Sequence, residues 1–239
     1  MKIMKIVLGS SEINLPILPG DVSDTIWSAL RNGTYEAKEA YWVRKAVRTG
    51  DRVLELGTGL GIIATILATE IDVQVSAFDA NPEIVRLAEN VVKANGRHNI
   101  SVAQGLMTAG SPRDFLFYLR KDFWMSSVFE DQGPYERIIT IRSIDIDEFI
   151  VNARITLLIM DIEGGECELL QGAELPGVER VFLELHDHLY GLAGVRQITT
   201  AMAAKGFAYD PRGSSGACVL FSRNLDIREY EEEAYAVSA

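Results

Sequence analysis

The chain has 239 residues, 34 Asp and Glu against 23 Lys and Arg for a formal net charge of −11, 48% hydrophobic residues and two cysteines. A chain of this length buries roughly 70 to 75% of the surface its unfolded form exposes, so it builds one core and is expected to be one domain, neither disordered nor stapled by disulfides. The negative field repels nucleic acid and anionic membranes, Cys167 and Cys218 form no CxxC pair, and no apolar run reaches the roughly 18 residues of a spanning helix.

The first residues hold too few consecutive apolar side chains for a signal peptide, so the expectation is a soluble cytoplasmic protein that binds no nucleic acid and no membrane. Residues 1–50 are expected to form an N-terminal cap of the same domain, helical over 24–30 and 37–47. Val53-Leu54-Glu55-Leu56 reads as a buried strand running into Gly57-Thr58-Gly59-Leu60-Gly61, with a helix over 62–69. Residues 73–78 alternate as a second strand ending at Asp79. Asn81-Pro82-Glu83 then starts a helix with an N-cap, a proline and an acid in the first turn. That helix runs to Lys93 with Ile84, Leu87, Ala88 and Val91 on one face, and Asn95-Gly96 stops it.

Residues 100–103 form a third short strand. Residues 111–136 lose the rhythm and read as an insertion with some strand content, whose aromatics either line a substrate pocket or pack the insertion onto the core. Strands follow at 155–160 and 181–185, then a helix over 195–205, and two strands at 207–209 and 217–221 joined by a Gly/Ser-rich turn at 211–216. Strands alternating with helices predict an α/β fold, a mostly parallel sheet with helices on both faces and one antiparallel strand from the final hairpin. The main domain is expected over 51–225 and an acidic tail over 226–239.

A glycine loop between a first strand and a helix brings a ligand close to the backbone. The third glycine comes one residue too early for the dinucleotide fingerprint G-x-G-x-x-G, which weakens an NAD-dependent oxidoreductase. Glu55, two residues before the first glycine, is placed to accept hydrogen bonds from an ammonium group, and Asp79 to take both hydroxyls of a ribose. Ammonium plus ribose describes S-adenosylmethionine. Gln104, ending the third strand, is a candidate for the adenine edge.

VLELGTGLG resembles the first motif of class I S-adenosylmethionine-dependent methyltransferases, and AFDANPE their acidic second-strand motif. Ser143–Ile150, the segment Leu157–Glu166 with its Asp161-Ile162-Glu163-Gly164-Gly165-Glu166 run, and Glu168–Ala173 are similar to the FkbM family within that class. So are Thr34-Tyr35-Glu36, Ser126-Ser127 and Phe182–His186, and the similarity covers about residues 34–190. The resemblance implies a Rossmann-like fold with a seven-stranded sheet. It implies cofactor contacts from Glu55, Gly57, Thr58, Gly59, Gly61, Asp79, Ala80, Asn81, Gln104 and Asp161, with S-adenosylhomocysteine as product. It also implies methyl transfer to a hydroxyl of a sugar, polyketide or other natural product.

Attack on a sulfonium methyl needs an oxygen in line with the carbon–sulfur bond and a group to take its proton. Asp161 ends the fourth strand, Glu163 follows two residues on, and Glu184 and His186 end the next strand. Asp161 or His186 is the expected base, with Glu163 orienting its neighbours. Tyr35, Glu36, Trp124, Ser127 and Glu184 are the expected acceptor contacts. Asp161, Glu163 and His186 are also metal-ligand types, so a divalent metal is possible but not expected. Other classes stay open: N-methylation of an amine or peptide, and a non-catalytic protein that binds S-adenosylmethionine. Oligomeric state is not fixed by the sequence, a homodimer being one arrangement.

Overall fold

The computed structural model describes residues 3–223; the expected acidic tail over 226–239 lies outside the described residues. The chain opens with a hairpin, β1 (Met4–Leu8) and β2 (Ser11–Leu15), followed by α1 (Asp24–Asn32) and α2 (Ala37–Ala46). Next come β3 (Arg52–Leu56), α3 (Ile62–Glu70), β4 (Gln74–Asp79), α4 (Pro82–Ala94) and β5 (Ile100–Gln104). The middle holds β6 (Met107–Thr108), β7 (Asp114–Leu119), β8 (Arg137–Arg142), β9 (Ile144–Asp145) and α5 (Ile146–Ala153). The last third is β10 (Leu157–Met160), α6 (Glu166–Gly172), β11 (Arg180–Glu184), α7 (Asp187–Ala204), β12 (Ala208–Ser215) and β13 (Cys218–Ser222).

Seven strands form one sheet in the order β12-β13-β11-β10-β3-β4-β5, parallel except for β13, which runs against both its neighbours. Alternation along each strand sends side chains to opposite faces. Val53 and Ala77 meet α1 to α4 on one face, and Leu54, Leu56 and Phe78 meet α5 to α7 on the other. The chain winds outward from β3 through β4 to β5, then returns to β10 on the opposite side of β3. This reversal opens a crevice at the carboxyl ends of β3 and β10, where ligands of open α/β sheets bind.

Three expectations need correction. The N-terminal cap is not wholly helical. Ile6, Leu8, Ile13 and Leu15 alternate inward around a Gly9 turn at φ 64°, so the period is two and the segment is a hairpin covering α3 and α4. The Asn95 side chain, ending α4, fastens the hairpin by bonding both the N–H and the carbonyl of Asn14 at 2.9 Å. The insertion reaches past 111–136: β7 pairs antiparallel with β8 along their full length, and the β6–β9 pairing closes its base. The 211–216 turn is mostly strand, since β12 continues through a register shift between Asp210 and Ser215 and reverses only at Gly216-Ala217.

Candidate active site

The glycine loop leaves β3 under a crossing backbone. A Cβ at Gly57, whose φ is +80°, would lie 1.7 Å from the Asp161 carbonyl oxygen, so only glycine fits where the loop passes the end of β10. Asp79 ties the loop to the next helix: its Oδ2 accepts the Gly59 N–H at 3.2 Å and its Oδ1 the Asn81 N–H at 2.8 Å. Asn81 caps α4 through the Glu83 N–H. Asp79 lines a cavity of about 310 Å³, within the size range of small-molecule sites of roughly 300–1,000 Å³.

The cavity wall includes Gly57, Gly59, Asp79 and Ala80 on the glycine-loop side, and Asp161 and Glu163 across from them. Tyr35, Glu36, Phe123 and Trp124 also line it. Tyr35 and Glu36 sit on the glycine loop itself: a Cβ on Gly59 would meet the Tyr35 hydroxyl at 3.0 Å and Glu36 Oε1 at 3.2 Å. Glu36, in the left-handed region at φ 50° before α2, keeps Oε2 sealed from solvent with no hydrogen-bond partner. A buried carboxylate oxygen without a donor costs free energy, and an ammonium group is the donor it fits.

Several expected contacts fall elsewhere. Glu55 is 3% exposed beneath the loop, accepting the Thr58 hydroxyl at 2.6 Å; neither residue lines the main cavity, because strand alternation turns Glu55 toward α2. Both line a neighbouring void of about 30 Å³ shared with Glu36, Glu39 and Glu184. Gly61 is a packing residue, its position being closed by the Ala88 Cβ at 3.2 Å. Gln104 is exposed and bonds back to the Ala80 carbonyl, while Gly105 and Leu106 beside it line the cavity. Ser127 is buried and bonds Gln132 within the insertion, whereas Ser126 reaches the cavity wall.

Opposite the glycine loop, Asp161, Glu163 and His186 converge. His186 Nε2 lies 3.3 Å from Asp161 Oδ1 and 3.4 Å from Glu163 Oε2, and its Nδ1 is 3.0 Å from Glu166 Oε1. Glu166, fully buried, also accepts the N–H groups of Ile162 and Gly164, so one carboxylate fixes both the histidine and the loop carrying Asp161 and Glu163. The DxEGxE spelling contains Glu166 without revealing this role, because its partner lies 20 residues away at the start of α7. Arg120 also escapes sequence reading. It is 5% exposed and donates to the Tyr118, Met125 and Phe129 carbonyls, holding the loop that brings Phe123 and Trp124 over the cavity.

Five carboxyl groups here are held above their ordinary range. Burial is the leading cause in each, with Asp161 among the neighbours that add to it: Glu55 and Glu184 are pushed up to about 7, Asp79 to about 6, Glu163 to about 8, and Glu36 moves the same way. Burial alone would lower His186, but the Asp161 and Glu166 carboxylates outweigh it and push the imidazole up to about 11. An imidazole held charged cannot accept a proton, and in that state His186 is placed to orient the Asp161 and Glu163 carboxylates.

Among proteins with assigned activities, the chain is 29% identical over 132 residues to the ribosomal protein L11 methyltransferase of Rhizobium rhizogenes, covering 55% of this chain and 39% of that protein. It is 34% identical over 93 residues to the same-named enzyme of Chloroflexus aurantiacus, covering 38% and 26%. The chain therefore spans well under half the length of these relatives. Solved structures with a similar backbone include a ribosomal protein L11 methylase from Lactobacillus delbrueckii subsp. bulgaricus (TM-score 0.49, 15% identity, 81% of each chain). Another is TYW2 of M. jannaschii in complex with AdoMet (TM-score 0.47, 10% identity, 93% of this chain and 87% of that one). The methyltransferase FkbM domain matches residues 60–209, more than half of the chain, and this protein belongs to that family of methyltransferases.

Proposed function

We propose that this protein is an S-adenosylmethionine-dependent methyltransferase that methylates a hydroxyl of a small molecule such as a sugar or polyketide, acting in the cytoplasm. The observation that carries the reading is the two-sided cavity. One wall is the glycine loop with Asp79 and Glu36, whose Oε2 has no donor, and the other carries Asp161 and Glu163 with His186 behind them. Asp79 suits the ribose hydroxyls, Glu36 the ammonium, and Ala80 with Leu106 the adenine face.

When bound, S-adenosylmethionine supplies an electrophilic methyl group on a positively charged sulfur. The Asp161 and Glu163 carboxylates face the side from which an acceptor hydroxyl would attack. Asp161 is placed to take the hydroxyl proton, since Glu163, pushed up to about 8, is largely protonated near neutral pH; the methyl would pass to the acceptor oxygen with the carbon–sulfur electron pair returning to sulfur. His186 and Glu166 hold those carboxylates in place, and Phe123 and Trp124 exclude water and orient the acceptor.

Calorimetric titration with S-adenosylmethionine and S-adenosylhomocysteine tests the reading: micromolar binding is expected, lost in Asp79→Ala. An acceptor screen with sugars and polyketides follows, in which Asp161→Asn lowers kcat by about 10²- to 10⁴-fold. No binding of either ligand would overturn it. The acidic cavity also favours a second reading, a protonated amine or peptide as acceptor, in keeping with the names of the curated relatives. A neutral amine is already nucleophilic, so Asp161→Asn would then cost little in kcat.

A further inference from the structure

The Asp161–Glu163–His186 group is built like a coordination site. Their ligand atoms lie within 4.8 Å of one another, with the imidazole Nε2 at 3.3 and 3.4 Å from the two carboxylate oxygens. Two donors about 2.0 to 2.2 Å from one ion, at angles between octahedral and tetrahedral, stand about 2.8 to 3.6 Å apart, so both separations are ligand–ligand edges around a common centre.

Two further observations point to the same ligand. The first is the histidine. His186 is 4% exposed, and its Nδ1 is engaged by the fully buried Glu166, which leaves Nε2 to face the centre of the group. A carboxylate on the far nitrogen is the support that metal-bound imidazoles carry, because it fixes ring orientation and tautomer. The second is Asp161 Oδ1. It is closed to solvent, and the imidazole Nε2 stands 3.3 Å away as an ion-pair partner that also faces Glu163. A solvent-sealed anionic oxygen beside a second carboxylate favours a cation between them.

We propose that Asp161, Glu163 and His186 bind a divalent cation, with His186 Nε2 and one oxygen from each carboxylate as ligands and Glu166 as the group that positions the histidine. A mixed imidazole and carboxylate set suits Mn²⁺, Fe²⁺ or Zn²⁺ better than a site made of oxygen alone. The remaining positions of the ion face the cavity, where an acceptor hydroxyl would enter. Only this last role rests on the methyl-transfer reading: a hydroxyl bound to the ion has a lowered pKa and loses its proton to water, and the two carboxylates then act through the ion instead of as the base. Coordination itself rests on the side chains alone.

Mn²⁺ is the probe. The full chain, stripped with EDTA and dialysed, is titrated with MnCl₂ while electron paramagnetic resonance follows the free ion, and calorimetry with S-adenosylhomocysteine runs in parallel on the same preparation. The expected result is one saturable site per chain that weakens at least about tenfold in Glu163→Gln, a variant verified as folded by thermal melting. Glu166→Gln, which touches no ion, should weaken Mn²⁺ about 10- to 100-fold, and thermal melting verifies that it is folded. Absence of saturable Mn²⁺ binding overturns the proposal, and so does a site that survives unweakened in both Glu163→Gln and Asp161→Asn. Loss of Mn²⁺ binding alone leaves the methyltransferase reading standing, while failure of S-adenosylhomocysteine to bind counts against that reading and not against the ion.

Discussion

The two ends of the central sheet treat buried charge in opposite ways. At the amino ends of β3, β10 and β11, Asp51 and Arg180 are 5% and 3% exposed, and opposite charges meet: Arg180 Nη2 donates to Asp51 Oδ1 at 2.8 Å and Nη1 to Oδ2 at 3.0 Å. The Thr156 hydroxyl and the Arg48 N–H complete that carboxylate at 2.7 and 2.6 Å. At the carboxyl ends of the same strands, Glu55, Asp161 and Glu184 crowd together with Glu36 and Glu163, and two of their oxygens are sealed without a donor. At the amino end the opposite charges are paired once the chain has folded, although Arg180 Nε is sealed without a partner. The carboxyl end is complete only with a cationic ligand, which is why a function can be located there and a purely structural role assigned to the other.

The sharpest way to break this contrast is to remove one carboxylate from each end. Asp51→Ala strands the Arg180 guanidinium in the core, and a loss of about 3–5 kcal/mol is expected in urea unfolding. A loss below about 1 kcal/mol would mean that the two ends do not differ as described. Glu55→Gln should act with the opposite sign, raising the stability of the ligand-free protein at pH 8 by about 1 kcal/mol, because a neutral amide relieves a carboxylate held at a raised pKa and still accepts the Thr58 hydroxyl. A clear loss of stability in that variant would show that Glu55 is as well satisfied as Asp51.

The same contrast sets the pH dependence. Glu55 rises from 4.5 to about 7 and Asp79 from 3.8 to about 6 on folding, so between about pH 4 and 7 the folded chain binds more protons than the unfolded one. Stability then falls as pH rises through that window. Differential scanning calorimetry should find the ligand-free Tm declining from pH 5.5 to 7.5, whereas S-adenosylhomocysteine should bind more tightly over the same range as Asp79 ionises for the ribose hydroxyls. A ligand-free Tm that climbs across this range would contradict the raised pKa values.

The fold was legible wherever chemistry and local pattern coincide. Arg52–Leu56 followed by three glycines, the Asn81-Pro82-Glu83 helix start and the apolar Leu157–Met160 run each state their structure within about ten residues. Asp79, Asp161, Glu163 and His186 were legible because strand ends in such a sheet converge on one edge. What stayed hidden depends on contacts distant in sequence. Glu166 gains its role from His186, Arg120 from carbonyls of a loop without regular structure, and Glu55 its turn away from the cavity from the helix packed beneath it. The β1–β2 hairpin is the exception. Its period-two pattern stands in the sequence, but four inward residues are too short a signal to separate from an irregular cap.

That hairpin also provides the mildest test of the contrast, because its turn helps to pair a carboxylate at the surface. Glu70, ending α3, takes the Arg44 guanidinium at 2.7 and 2.9 Å and the Ser10 and Ser11 hydroxyls, and the Arg44 hydrogen bonds lead in holding it down at about 2. A carboxylate with a depressed pKa stabilises the fold above its unfolded value of 4.5, and that contribution is lost as pH falls toward 2. Its sign is therefore the reverse of the Glu55 and Asp79 trend. Because the pair is partly solvated, Glu70→Gln should cost only about 1 kcal/mol at pH 7. It should also flatten the acid limb of the Tm profile below pH 4.5 while leaving the decline between pH 5.5 and 7.5 untouched. If both limbs changed together, the two sets of carboxylates would be coupled through the fold, and paired and unpaired charge could no longer be read as separate properties of separate regions.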